Sequence, residues 1–83
     1  MRVSVRLAAY AGETVPDIGV DGVGEWDLAE NTTLAGALTR LGTLQERPAL
    51  ILVNDRVVRE ASRSDYRLAD GDRLVVMPPI DGG

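Results

Sequence analysis

The sequence predicts an α+β domain in which one helix packs on one face of a mixed β-sheet. Three observations carry this expectation. Val3, Val5 and Leu7 alternate with Arg2, Ser4 and Arg6 at the start of the chain. Leu34, Ala37, Leu38 and Leu41 follow at helical spacing behind Asn31-Thr32-Thr33. Two apolar runs, Ala49-Leu50-Ile51-Leu52-Val53 and Arg73-Leu74-Val75-Val76-Met77, come after the helix.

Each element follows from its local pattern. Period-two alternation with β-branched residues over residues 2 to 10 predicts a half-buried strand, with the Arg-bearing face in water. Gly12, Pro16, Gly19, Gly22 and Gly24 crowd residues 11 to 24 and predict a loop longer than a simple hairpin connection. Residues 25 to 30 alternate again and predict a second strand, pairing back on the first, with Trp26 and Leu28 on the core face. Asn31, Thr32 and Thr33 are candidate helix N-caps. Arg40 falls in the last predicted turn, where a cation suits the helix dipole, and Gly42 is placed to cap the C-terminus. Gly36 weakens this short helix by about 1 kcal/mol relative to Ala, so packing on the sheet must hold it.

The run from Ala49 to Val53 is short and branched, and predicts a buried strand. Asn54-Asp55 predicts a turn into a short continuation at Arg56-Val57-Val58. Residues 59 to 65 are polar and predict irregular structure. Asp70-Gly71-Asp72 predicts a turn with a positive φ at Gly71, leading into the last strand, which Pro78-Pro79 ends because neither residue can donate to a ladder. The apolar helix stripe and the apolar strand faces need each other, and one helix on one face of a mixed sheet satisfies both. That arrangement is the β-grasp, as in ubiquitin. The expected organisation is a domain over residues 1–77 and a flexible tail over residues 78–83.

Composition narrows the function classes. The chain has 83 residues, no Cys and no His, which excludes disulfides and zinc sites built on those side chains. Ser62 and Ser64 have no His to activate them, so a serine hydrolase is excluded. The formal net charge of −4 argues against a phosphate-tracking nucleic-acid binder and fits a soluble protein that meets a basic partner surface. No apolar run has the length of a membrane span, and no signal peptide opens the chain; the expectation is a cytoplasmic protein. All nine cationic residues are Arg, so no side-chain amine can accept an isopeptide bond. Asp65, Asp70 and Asp72 offer far too few oxygens for a calcium cage. Trp26 is expected in the core, with a partner-binding anchor as the alternative.

The candidate chemistry lies in the tail, Pro78-Pro79-Ile80-Asp81-Gly82-Gly83. Two terminal glycines alone could be no more than a frayed end, but these directly follow a predicted strand. The arm could reach about 20 Å when extended. Fixed φ at Pro78 and Pro79 stiffens its base, while Gly82 and Gly83 can thread a narrow channel because they lack Cβ. Such a tail could deliver its carboxylate to an active site on another protein. A carboxylate is a poor acyl donor until ATP converts it to an acyl-adenylate. A sulfur nucleophile can then displace AMP and leave a thiocarboxylate.

Several segments resemble the MoaD/ThiS family of ubiquitin-like sulfur carriers: Val3-Ser4-Val5-Arg6-Leu7, Thr33-Leu34 with Leu38, Val53-Asn54 before Val57-Val58, Leu68-Ala69-Asp70-Gly71-Asp72, Leu74-Val75-Val76 and the tail. The Pro78-Pro79-Ile80 stretch resembles the small subunit of molybdopterin synthase more than the thiamine-pathway carrier. The resemblance implies that Gly83 is adenylated and carries the sulfur, that Gly82 permits channel entry, and that Pro78, Pro79, Ile80 and Asp81 bind the partner. It implies no catalytic residue in the chain, no bound cofactor and no metal. ATP would be used by a partner, an adenylyltransferase of ubiquitin-activating type. The acceptor would be the large subunit of molybdopterin synthase, or an enzyme of thiamine, cysteine or thiolated-tRNA synthesis. Two rival expectations stay open: conjugation to other proteins through the activated tail, and a β-grasp interaction module that never uses its terminus.

Overall fold

The computed structural model describes residues 1–8 and 15–79. Five strands form one mixed sheet in the order β2-β1-β5-β3-β4, with β1 at Arg2–Leu7, β2 at Val23–Asp27, β3 at Leu50–Val53, β4 at Arg56–Val57 and β5 at Arg73–Met77. The pairs β1–β2, β3–β5 and β3–β4 are antiparallel, whereas β1 and β5 run parallel at the centre. The expected β-grasp is therefore the observed fold.

The alternation read in β1 is real: Val3, Val5 and Leu7 are buried while Arg2, Ser4 and Arg6 are exposed. Trp26 pairs across from Val3 and is 1% exposed, so it is a core residue and not a surface anchor. Its indole N–H has no hydrogen-bond partner among the described residues. Tyr66 packs against the core. Asn54 and Asp55 both have positive φ, 51° and 70°, the geometry of a two-residue hairpin turn whose twist matches the flanking strands.

The helix departs from expectation. Only Leu34–Leu38 is α-helical (α1), and Thr39–Glu46 continues as a 3-10 segment interrupted at Gly42, where φ is 62° and ψ is −129°. The Thr39 N–H bonds back to the carbonyl of Gly36, and the Thr39 hydroxyl donates to that same oxygen at 2.6 Å. The reason is legible in the spacing. Leu38, Leu41 and Leu44 recur every three residues, the period of a 3-10 helix, and all three are buried. Gly42 thus breaks the path inside the 3-10 segment and does not cap α1. Arg40 falls beyond α1, and its guanidinium donates to the backbone carbonyl of Asp27 at 3.0 Å.

The start of α1 has its backbone donors satisfied. The Thr33 hydroxyl accepts from the Gly36 N–H at 3.1 Å. The Leu34 and Ala35 N–H groups donate to the carbonyls of Tyr66 and Arg63, at 2.7 and 2.9 Å. The polar segment expected to be irregular forms a 3-10 turn at Glu60–Ser62 and then runs over the helix start, because those orphan N–H groups need acceptors.

A second network fixes the register of β5. Gly71 has φ of 86°, as the turn requires. The Asp72 carboxylate accepts from Asn54 Nδ2 at 2.9 Å and from the Ala69 N–H at 2.8 Å. The Asn54 amide oxygen accepts from the Arg73 N–H at 2.9 Å, and Asp70 accepts from the Arg2 N–H at 2.7 Å. Turns at one end of three strands are thereby tied together.

Leu34 is fully buried at the helix–sheet junction. Leu34→Ala is expected to cost about 3 kcal/mol in urea unfolding, with an unchanged slope, as is usual for truncation in a packed core. Asp72→Ala removes two acceptor contacts and is expected to cost about 1 kcal/mol; hydrogen exchange at the Ala69 amide should speed up in that variant.

Candidate functional site

The candidate site is built on the central strand. β5 pairs with β1 through Leu74–Val5 and Val76–Leu7 and with β3 through Met77–Leu50. The last rung of this ladder is the Ala8 N–H donating to Val76 O at 2.8 Å. Pro78 and Pro79 follow, the first half-buried and the second exposed. Having no N–H, they release the chain from the sheet. The other residues expected to act, Ile80, Asp81, Gly82 and Gly83, lie outside the described residues. The structure therefore gives the place where the tail leaves the sheet.

The helical segments cover one face of the sheet. On the other face, register brings Val23, Arg6, Val75, Leu52 and Val57 into one row across all five strands. Leu50 and Met77 extend it towards the tail exit. Val23 and Val57 are 50% and 56% exposed, and Leu50, Leu52, Val75 and Met77 are half-buried. β3 is thus buried on one face only, and not on both as its continuous apolar run suggested. The missed signal was arithmetic. One short helix covers one face, so alternate residues of every apolar run must point away from it.

The charges on this face are mostly paired. Arg2 lies 3.6 Å from Glu25 and 3.4 Å from Asp27. Arg73 reaches Asp55 at 3.0 Å. These exposed pairs contribute little stability. Arg6, flanked by Val23 and Val75, has no ion pair among the described residues. A shallow cleft of about 330 Å³ is lined by Arg6, Val23, Asp55, Arg73 and Val75 among others.

The glycine-rich connection is a tight structure where it is described. The Ile18, Gly19 and Gly22 N–H groups donate to the carbonyls of Val15, Val23 and Gly19, and Asp21 accepts from the Val23 N–H at 3.1 Å. Ile18 bridges to Gly24, and a Cβ on Gly24 would overlap the carbonyl oxygen of Asp17. Only glycine lets the loop lie against the edge of β2. The carbonyl of Gly22 accepts from the Leu7 N–H at 2.7 Å, which sets this loop, with fully exposed Val20, at the same end of the sheet as the tail exit.

Among the described residues, no group of three or more His, Cys, Asp and Glu side chains could hold a metal ion. No helix among them is long and apolar enough to cross a membrane. Ser62 and Ser64 are exposed. Asp70 and Asp72 serve the turn.

No curated protein matches the chain. Among solved structures, the chain is similar to SAMP1 from Haloferax volcanii, with 18% identity, TM-score 0.69 and full coverage of both chains. It is similar to a chain of the complex of subunits 1 and 2 of molybdopterin-converting factor from Helicobacter pylori 26695, with 22% identity, TM-score 0.63 and full coverage of both. Urm1 from Trypanosoma brucei matches at 23% identity and TM-score 0.63, over 99% of this chain and 95% of that one. These likenesses show a shared ubiquitin-like fold. The model of the ThiS family matches residues 14–83, and by that match the chain belongs to the ThiS family.

Proposed function

We propose that this protein is a sulfur carrier that works through the carboxylate of Gly83. A partner adenylyltransferase of ubiquitin-activating type would join the carboxylate to the AMP moiety of ATP, releasing pyrophosphate. Attack by hydrosulfide, or by an equivalent sulfur nucleophile, forms the C–S bond, breaks the C–O bond to the phosphate and releases AMP. The resulting thiocarboxylate is a diffusible sulfur donor. The chain contributes a shaped body and a slim tail, while acid, base and nucleotide binding are supplied by partners. ATP is accordingly a co-substrate consumed by the activating partner.

The observation that carries this reading is the course of β5. In a chain of the ThiS family, the central strand runs straight into Pro78-Pro79 beside the uncovered apolar face. A rigid body is thereby coupled to the base of the arm that Gly82 and Gly83 would complete.

The recipient we favour is a precursor of molybdopterin, reached through a large synthase subunit. The Pro78-Pro79-Ile80 stretch supports this branch, and the fold shared with the Helicobacter pylori molybdopterin-converting factor chain agrees with it. Thiamine, cysteine and thiolated-tRNA synthesis are the other destinations for the same chemistry. The second reading, an interaction module that leaves its terminus unused, is favoured by the exposed apolar face alone.

Intact-protein mass spectrometry tests the carrier reading. After incubation with an activating enzyme, ATP and sulfide, the chain is expected to gain the mass of one oxygen replaced by sulfur, localised to Gly83. No gain with enzymes proven competent on other carriers would move the assignment to the interaction module. Adding one residue after Gly83 is expected to abolish sulfur transfer while leaving the unfolding midpoint unchanged. Full transfer by the extended chain would rule the carrier reading out.

A further inference from the structure

We propose that the stiff loop over residues 15–24 is a second contact for the protein that takes up the tail, and that this protein receives Val20 in an aliphatic socket rimmed by Lys or Arg side chains. That a partner takes up the tail rests on the carrier reading above; the chemistry of the socket is read from the loop.

The loop is built to hold its tip still. The Gly22 N–H donates to the Gly19 carbonyl at 2.9 Å, which closes a β-turn with Val20 and Asp21 at its centre. The Gly19 N–H donates to the Val23 carbonyl at 3.0 Å, and Asp21 accepts from the Val23 N–H at 3.1 Å. Asp17 and Gly22 hold positive φ, 69° and 81°. A loop already fixed in this way has little conformational freedom left to lose on binding, which is a main cost of using a loop as a contact.

The tip carries an unusual residue for a solvated turn. Turn positions favour Gly, Pro, Asn, Asp and Ser, and Gly19 and Asp21 follow that rule, yet Val20 between them is fully exposed. A lone exposed valine is ordinary on a protein surface. This one is presented on a fixed turn, and Val23, 50% exposed, lies where the loop joins β2. A partner that covers Val20 removes apolar area from water with little ordering to set against it. Asp17 and Asp21 beside it are exposed and have no ion pair among the described residues. The rim that complements them is therefore cationic, and the net charge of −4 points the same way.

Position ties the loop to the tail. The Gly22 carbonyl accepts from the Leu7 N–H on one side of β1, and Leu7 pairs with Val76 on the other. Gly22 and Val76 are therefore two strand spacings apart, about 10 Å, and Pro78 comes two residues after Val76. A protein that encloses an arm of about 20 Å has a footprint wider than that gap, so closing on the tail brings its surface to Val20. The enzyme that adenylates the chain is one such protein.

The test uses Val20→Ser, Asp17→Asn and, as a control, Asp65→Asn. Asp65 is also exposed, and it leads into the turn whose Gly71 N–H donates to the carbonyl of Arg2, at the end of β1 away from the tail exit. Asp65→Asn makes the same change in net charge as Asp17→Asn. The readouts are calorimetric affinity for the enzyme that adenylates the wild-type chain, its dependence on NaCl, and KM and kcat for adenylation, with thermal unfolding as a check on folding. Val20→Ser is expected to weaken binding about tenfold, with the loss in KM and kcat retained at saturation. Asp17→Asn is expected to weaken binding about threefold and to make it less sensitive to salt. Asp65→Asn is expected to keep both the affinity and the salt dependence of the wild-type chain. If the wild-type chain is adenylated but Val20→Ser binds as tightly, or Asp65→Asn changes affinity and salt dependence as much as Asp17→Asn, the loop inference is overturned alone. If no activating enzyme adenylates the wild-type chain, the carrier reading and this inference fall together.

Discussion

The parallel pairing of β1 with β5 is the constraint on which the rest of this structure depends. A parallel pair cannot be closed by a tight turn, so the chain between the two strands must cross over. Here it makes β2, the helix, β3 and β4 on the way. The crossing brings Leu34, Ala37 and Leu38 over the core face, where they meet Val3, Val5, Leu74 and Val76. It also leaves β5 in the centre of the sheet with its C-terminal end free to continue outward. The place where Pro78-Pro79 leave the sheet is therefore set by a strand paired on both sides.

One-sided coverage is the second consequence. The helical segments are short, yet they seal one face because the 3-10 segment adds Leu41 and Leu44 to the buried stripe. Nothing else among the described segments reaches the opposite face. An apolar row there is costly to leave in water and invites a partner. The rigid turns at the far end of the sheet, held by Asn54, Asp70 and Asp72, keep β5 from sliding. A one-residue slip would exchange Val75 and Leu74 between the two faces, losing the core and the exposed apolar row together.

Much of this was legible in the sequence because local chemistry and tertiary demand agree. Asn54-Asp55 and Asp70-Gly71-Asp72 were readable as turns because each supplies the positive φ its turn uses. Thr33 was readable as an N-cap because its hydroxyl replaces a missing backbone acceptor. The helix was misread where two periods compete. Leu34, Ala37, Leu38 and Leu41 fit a spacing of 3.6 residues, but Leu38, Leu41 and Leu44 fit three, and burial of Leu44 selected the tighter form. The glycines of residues 11 to 24 read as a loop, whereas Gly24 belongs to β2 and marks a close approach of backbone to backbone.

The sequence by itself determined the strand and helix order, the turn positions and the core face of β1, since each depends on the few residues beside it. It could not determine that Arg6 has no ion pair among the described residues, because the acids that pair with Arg2 and Arg73 are far away in sequence: Glu25 and Asp27 on β2, and Asp55 beyond β3. Nor could it tell that Leu52 and Val57 join Val75 and Val23 in one row. Those relations exist only once register aligns five strands, and register is a cooperative property of the whole sheet.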